Sequence, residues 1–237
     1  ALEERRRGCF PSRQEFMMKK FLIATLLCMA LTVTMVPMAF AADSNYTECM
    51  AAIQEQRTIQ DQAHQTAESL RKKGYSDSSA YVQAAKSTWN EAQKAIAGYQ
   101  KLAQYSDEDI RILTTTVFHE AGHTTEQLRQ YVAQVVLNRV EDSRFPDTVK
   151  GVITQPGQYS TKYATVEAAN AIQATDSKNG TYYYGICEDS VKAAMMGQVE
   201  MPSNVLYQAN FSQGKGVWKS VYFNSGWYAS TSYFCYG

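Results

Sequence analysis

Surplus charge is missing from this chain: 23 lysines and arginines stand against 23 aspartates and glutamates. Without a basic excess there is nothing to neutralise a phosphate backbone, so broad nucleic-acid binding is excluded. Long apolar runs are also missing. The one sustained stretch, Phe21 to Val36, spans sixteen residues, short of the roughly twenty that a membrane-crossing helix needs. Lys19-Lys20 precedes it, and small residues spaced as Ala39-x-Ala41 follow. That layout predicts a secretory signal over 17–41, cut before Ala42, with membrane contact through this segment alone. Residues 1–16 precede Met17-Met18 and resemble no part of a signal. They are expected to be an extension ahead of the true start.

Cysteine is scarce once the signal is set aside: Cys49, Cys187 and Cys235 are left. Export permits disulfides, and a Cys187–Cys235 pair is expected, because both lie in one expected domain; three free buried thiols are the alternative. The expected mature chain loses six basic and three acidic groups, which leaves 17 and 20 and a mildly acidic balance.

Proline is absent from Tyr46 to Leu102, a stretch rich in Ala, Gln and Lys. Ala52, Gln56, Ile59, Ala63, Thr66 and Leu70 recur at steps of four and three. After the turn signal Gly74-Tyr75-Ser76-Asp77, so do Tyr81, Ala85, Thr88, Ala92, Ala95, Tyr99 and Leu102. That periodicity predicts an antiparallel helical hairpin over 42–105 with a thin apolar stripe. It identifies no chemistry and no protein partner. His64 is expected at the surface.

A second domain is expected over 106–237. Ser106 with Asp107, Glu108 and Asp109 starts a helix well, since a hydroxyl and nearby acids complement exposed N–H groups. Ile110, Leu113, Val117 and Ala121 share a face, and Gly122 is expected to stop the helix. Thr124 and Gln127, at capping-box spacing, restart one. It carries Leu128, Val132, Val135, Val136 and Val140 inward. A short helical stretch runs from Thr148 to Ile153. Gln155-Pro156-Gly157-Gln158 carries a type II turn signature. Residues 165–185 are expected to form an irregular insertion, and Asp189–Gly197 a helix. The tail from Asn204 alternates aromatic and small residues, as short strands do. The fold class is therefore mainly α with a minor β component.

Two chemistries compete at the Gly122 break. His119-Glu120-Ala121-Gly122-His123 matches H-E-x-x-H, the zinc-protease pattern, which needs both imidazoles on one face of a continuous helix and a third ligand. Glu141 is the best-placed third ligand. The expected helix end inside the motif would splay the two histidines.

The longer pattern is Glu120-Ala121-Gly122, Val135-Val136-Leu137-Asn138-Arg139-Val140, Arg144-Phe145-Pro146, Gly151-Val152-Ile153 and Gln155-Pro156-Gly157-Gln158-Tyr159-Ser160. It resembles the SleB/CwlJ-type cell wall hydrolases, with the Glu120-to-Asn138 spacing unbroken; weaker resemblance continues to the C-terminus. His123 and Thr124 depart from that family's usual glycine and acid. The resemblance implies a lysozyme-like catalytic domain that cleaves peptidoglycan glycan strands as a lytic transglycosylase or muramidase, outside the cytoplasm and without a cofactor. Glu120 aligns with the family's acid. A glycosidic oxygen needs a proton to leave, and a Glu buried at a helix end holds its proton toward neutrality. Gln155 and Gln158 are candidates to bind sugar hydroxyls, and Tyr159 and Tyr207 to wall the cleft. The competing functions are a zinc endopeptidase using His119, His123 and Glu141, and a non-catalytic wall-binding protein.

Overall fold

A computed structural model of the chain describes residues 44–159, 164–175, 177–226 and 229–237. The expected extension, signal segment and cleavage point before Ala42 lie outside the described residues. No helix among them is long and apolar enough to cross a membrane.

The chain is mainly helical with one small sheet. The helices are α1 (Ser44–Lys72), α2 (Ala80–Leu102), α3 (Asp107–Ala121), α4 (Glu126–Glu141), α5 (Val149–Ile153), α6 (Val166–Gln173) and α7 (Tyr184–Met195), with a π-helical segment, Ser177–Tyr183, leading into α7. The strands are β1 (Val205–Ala209), β2 (Val217–Asn224) and β3 (Ala229–Tyr236). Two compact units result: residues Gln54–Gln93, and residues 44–53 together with Lys94–Gly237.

In the smaller unit, the distal parts of α1 and α2 form a hairpin. Its buried cluster is Ala67, Leu70, Val82 and Ala85, with Tyr81 against it. The periodicity is as expected, but Val82 and Ala67 are the deeper partners of Tyr81 and Thr66. A helical stripe about two positions wide lets the more apolar neighbour take the inside.

The larger unit is organised around α3 and α4. Ser106 caps α3: its Oγ accepts from the Asp109 N–H at 3.1 Å, while the Asp109 carboxylate accepts from the Ser106 N–H at 3.2 Å. Asp107 in that first turn serves a second helix, accepting the Ser44 and Asn45 N–H groups that open α1. The Asn45 amide then donates to the Leu102 and Tyr105 carbonyls. Ile112, Leu113, Val117, Val132, Val135 and Val136 are fully buried between the two helices and α7. At the end of α4, Asn138 Nδ2 donates to the Pro202 and Val205 carbonyls, and Arg139 Nε to the Leu206 carbonyl at 2.6 Å. These bonds fix the start of β1 on the helices. The sheet is antiparallel in the order β1-β3-β2, with Phe234 and Cys235 of its central strand buried.

Several expectations are corrected. Cys49, Cys187 and Cys235 are buried thiols with no disulfide among them. Cys187 lies on α7 in the helical core, and Cys235 on β3 opposite Tyr207 and Val217. Burial pushes the Cys187 thiol up to about 12, which keeps it protonated. Residues 165–175 and 177–185 are not irregular but largely helical. Thr165 caps α6 by accepting from the Ala168 N–H, and Ala169 and Ile172 pack on Tyr184. That burial also moves the start of α7 forward from Asp189 to Tyr184. The cap of α4 is Thr125, whose Oγ1 accepts from the Leu128 N–H; Thr124 instead donates to the Ala121 carbonyl.

Candidate active site at the end of α3

Glu120 occupies the last turn of α3, one turn beyond the buried Thr116 and Val117. Side chains three and four apart share a helix face, so this carboxyl continues the buried stripe toward solvent. The Thr116 hydroxyl is committed to the Ile112 carbonyl. Among the described residues, no hydrogen bond or ion pair reaches Glu120. Desolvation alone raises its pKa above the ordinary carboxylate value. Glu120 is exposed to solvent, yet the surrounding protein is close enough for desolvation to disfavour its charged form.

Gly122 closes α3 in right-handed helical geometry, with φ −54° and ψ −41°. It differs from the left-handed glycine that commonly ends helices. Glycine is needed here because a Cβ would run into the Phe118 carbonyl oxygen. Thr124 and Thr125 then turn the chain into α4.

The aromatic side of the site comes from three further segments. After α5, the Gln158 N–H donates to the Gln155 carbonyl at 3.2 Å, and Gly157 has φ +75°, as expected of the type II turn. This turn delivers Tyr159. Burial pushes the Tyr159 phenol up to about 12; the Arg139 guanidinium opposes the rise and Glu120 adds to it. Tyr159 is thus within electrostatic reach of both. Arg139 is 3% exposed and is faced by the rings of Phe145 at 5.3 Å, Tyr159 at 5.7 Å and Tyr207 at 5.7 Å. Its Nη1 finds no acceptor among the described residues.

Two of the four expected binding residues, Tyr159 and Tyr207, therefore share one cluster. Gln155 has a buried Oε1 without a partner, and Gln158 is exposed. Sequence reasoning missed the other side of the site. There His123 meets Tyr183 edge-on at 4.2 Å, and the Phe118 ring lies 5.4 Å from His119 and 5.9 Å from His123. The run Tyr182-Tyr183-Tyr184 was the available sign.

The zinc ligand set is not brought together. Glu141 ends α4, and its charge acts on Tyr105 beside Asp109, at the start of α3. His123 precedes α4, so about 24 Å of helix separates the two. Among the described residues, no three His, Cys, Asp or Glu side chains are close enough to hold a metal. Desolvation lowers the pKa of His119. Its neutral form places no positive charge beside Glu120.

The fold and site define a mainly α domain in which a carboxyl with a raised pKa lies in the last turn of α3 near a cluster of aromatic side chains. Residues 124–230 match the family model described as Cell Wall Hydrolase. The match begins four residues after Glu120.

The chain is also similar to spore cortex-lytic enzymes. With that of Halalkalibacterium halodurans it shares 37% identity over 93 residues, 35% of this chain and 28% of the relative. With that of Bacillus cereus it shares 35% over 91 residues, 34% of this chain and 35% of the relative. The chain thus spans about a third or less of the length of these relatives. Among solved structures, it aligns with the catalytic domain of the germination-specific lytic transglycosylase SleB of Bacillus anthracis. The TM-score is 0.37 with 25% identity, over 55% of this chain and 96% of that one.

Proposed function

We propose that the chain is an extracytoplasmic peptidoglycan-cleaving glycosidase of the lytic transglycosylase type, with Glu120 as its acid. The observation that carries this reading is the state of Glu120: an exposed carboxyl whose pKa is raised by desolvation, with no ion pair to a cation among the described residues. The cell wall hydrolase match over 124–230 and the similarity to spore cortex-lytic enzymes support peptidoglycan as substrate.

Protonated Glu120 donates to the glycosidic oxygen as the bond from that oxygen to the anomeric carbon breaks. A hydroxyl of the same sugar then attacks the anomeric carbon, and the Glu120 carboxylate takes its proton. The acid is regenerated, an anhydro end is formed, and no second carboxylate is required. Tyr159 and Tyr207 wall the site, and Gln155 and Gln158 serve the sugar substituents from the turn.

The test is the fall in turbidity of a purified peptidoglycan suspension. The unaltered chain clears it, and Glu120→Gln slows clearing about 10²- to 10⁴-fold, the usual contribution of a general acid. Equal clearing by both proteins would remove Glu120 from the chemistry.

A further inference from the structure

The smaller unit holds a cleft that the proposed chemistry does not use. It lies between α1 and α2, has a volume of about 240 Å³, and is floored by Ala63, Ala67 and Ala85. The three alanines are at most 5% exposed. Their small side chains leave room between the helices. Trp89 forms one wall at 41% exposure, and His64, Arg71, Lys86 and Asn90 complete the rim.

The rim is polar but electrically balanced. Arg71 Nη1 meets Glu68 at 2.6 Å, its Nε meets Asp77 at 2.7 Å, and Lys86 Nζ lies 3.5 Å from Asp77. Two cations against two carboxylates leave no surplus to attract an anion. The pairs instead hold the Arg71 guanidinium in place, with its Nη2 donors unused among the described residues. Trp89 is also isolated. Among the described residues of this unit the one other exposed large apolar residue is Tyr75, which packs edge-on against Tyr81 at 5.3 Å. A partner helix, or a second copy, would require an apolar stripe repeating along the hairpin, and none is present here. An indole face beside fixed planar donors fits a neutral ring with an apolar C–H face and hydroxyl or amide edges.

We propose that this cleft is a carbohydrate-binding site, in which Trp89 stacks on an N-acetylated pyranose while Arg71 and Asn90 bond its polar substituents. Resting on the proposed function only for the source of that sugar, the site would hold the chain on the glycan it cleaves.

The test uses the full chain carrying Glu120→Gln, so that the polymer survives, with and without Trp89→Ala. Binding to insoluble peptidoglycan is measured by cosedimentation, and binding to soluble N-acetylglucosamine tetramer by calorimetry. Loss of the stacking face is expected to weaken both about five- to ten-fold. Trp89→Phe should recover part of the loss, and the circular dichroism of all three proteins should coincide. Unchanged binding in Trp89→Ala overturns the site. So does concentration-dependent dimerisation that Trp89→Ala abolishes, since the indole would then be an interface. Failure of the unaltered chain to clear peptidoglycan, with tetramer binding still dependent on Trp89, would overturn the glycosidase and leave the sugar site standing.

Discussion

The two compact units bury their apolar residues on very different scales. The larger one has a continuous core running from Cys49 through α3, α4 and α7 to Phe234 of the sheet. The hairpin unit relies on a cluster of four residues, two of them alanine. At about 25 cal/mol per Å² of apolar surface removed from water, the first can hold strained or desolvated groups in place, and the second has little to spare. The contrast suits their proposed roles. A raised carboxyl pKa needs surroundings that do not relax around the charge, whereas a shallow stacking site needs only one ring held at a surface.

The sharpest way to break the comparison is chemical. Glu120→Gln should abolish nearly all turnover, about 10²- to 10⁴-fold, and leave binding to peptidoglycan intact. A comparable loss of turnover from Trp89→Ala on soluble fragments would erase the distinction between the units.

The next largest effects are on stability. Leu113 is fully buried in the large core, and Leu113→Ala should cost about 3 kcal/mol in chemical denaturation. Leu70→Ala in the hairpin should instead lower hydrogen-exchange protection over residues 54–93, with activity on soluble fragments retained. Asn138→Ala strips the Pro202 and Val205 carbonyls of their donor. Its expected cost is about 2 kcal/mol, with loosening concentrated at β1.

The smallest effect is a pH dependence. Because the folded-state pKa of Glu120 is raised, the fold is favoured while the group is protonated and loses stability as pH rises through that raised value. Glu120→Gln removes the loss. Melting temperatures of the two proteins should coincide below the ordinary carboxylate pKa and separate above it, the variant being the more stable. The opposite order at neutral pH would mean that Glu120 is held as a favourable carboxylate.

Much of this was legible where one residue type had one job. Ser106 and the three acids after it could only open a helix, and Pro156-Gly157 could only be a type II turn. The remaining features depended on what lies across the fold. Thr124 and Thr125 cap equally well by composition; the Ala121 carbonyl claims the first and leaves the second for α4. Gly122 was expected to stop α3 and does, but it is the close approach of the Phe118 carbonyl that excludes a side chain there. The Cys187–Cys235 pairing failed: both thiols are free and buried, one on α7 and the other on β3. Arg139 lies in the last turn of α4 and ties down the Leu206 carbonyl. Its aromatic surroundings come from residues 145, 159 and 207, which no local pattern joins.

The central claim is that Glu120 delivers the proton that cleaves a glycan strand. Mass spectrometry of purified peptidoglycan after incubation with the chain, beside its Glu120→Gln variant, tests it most directly. The account predicts fragments with anhydro ends, each lighter by one water than a reducing end, and none from the variant. Intact glycan strands with cut peptide stems would contradict it.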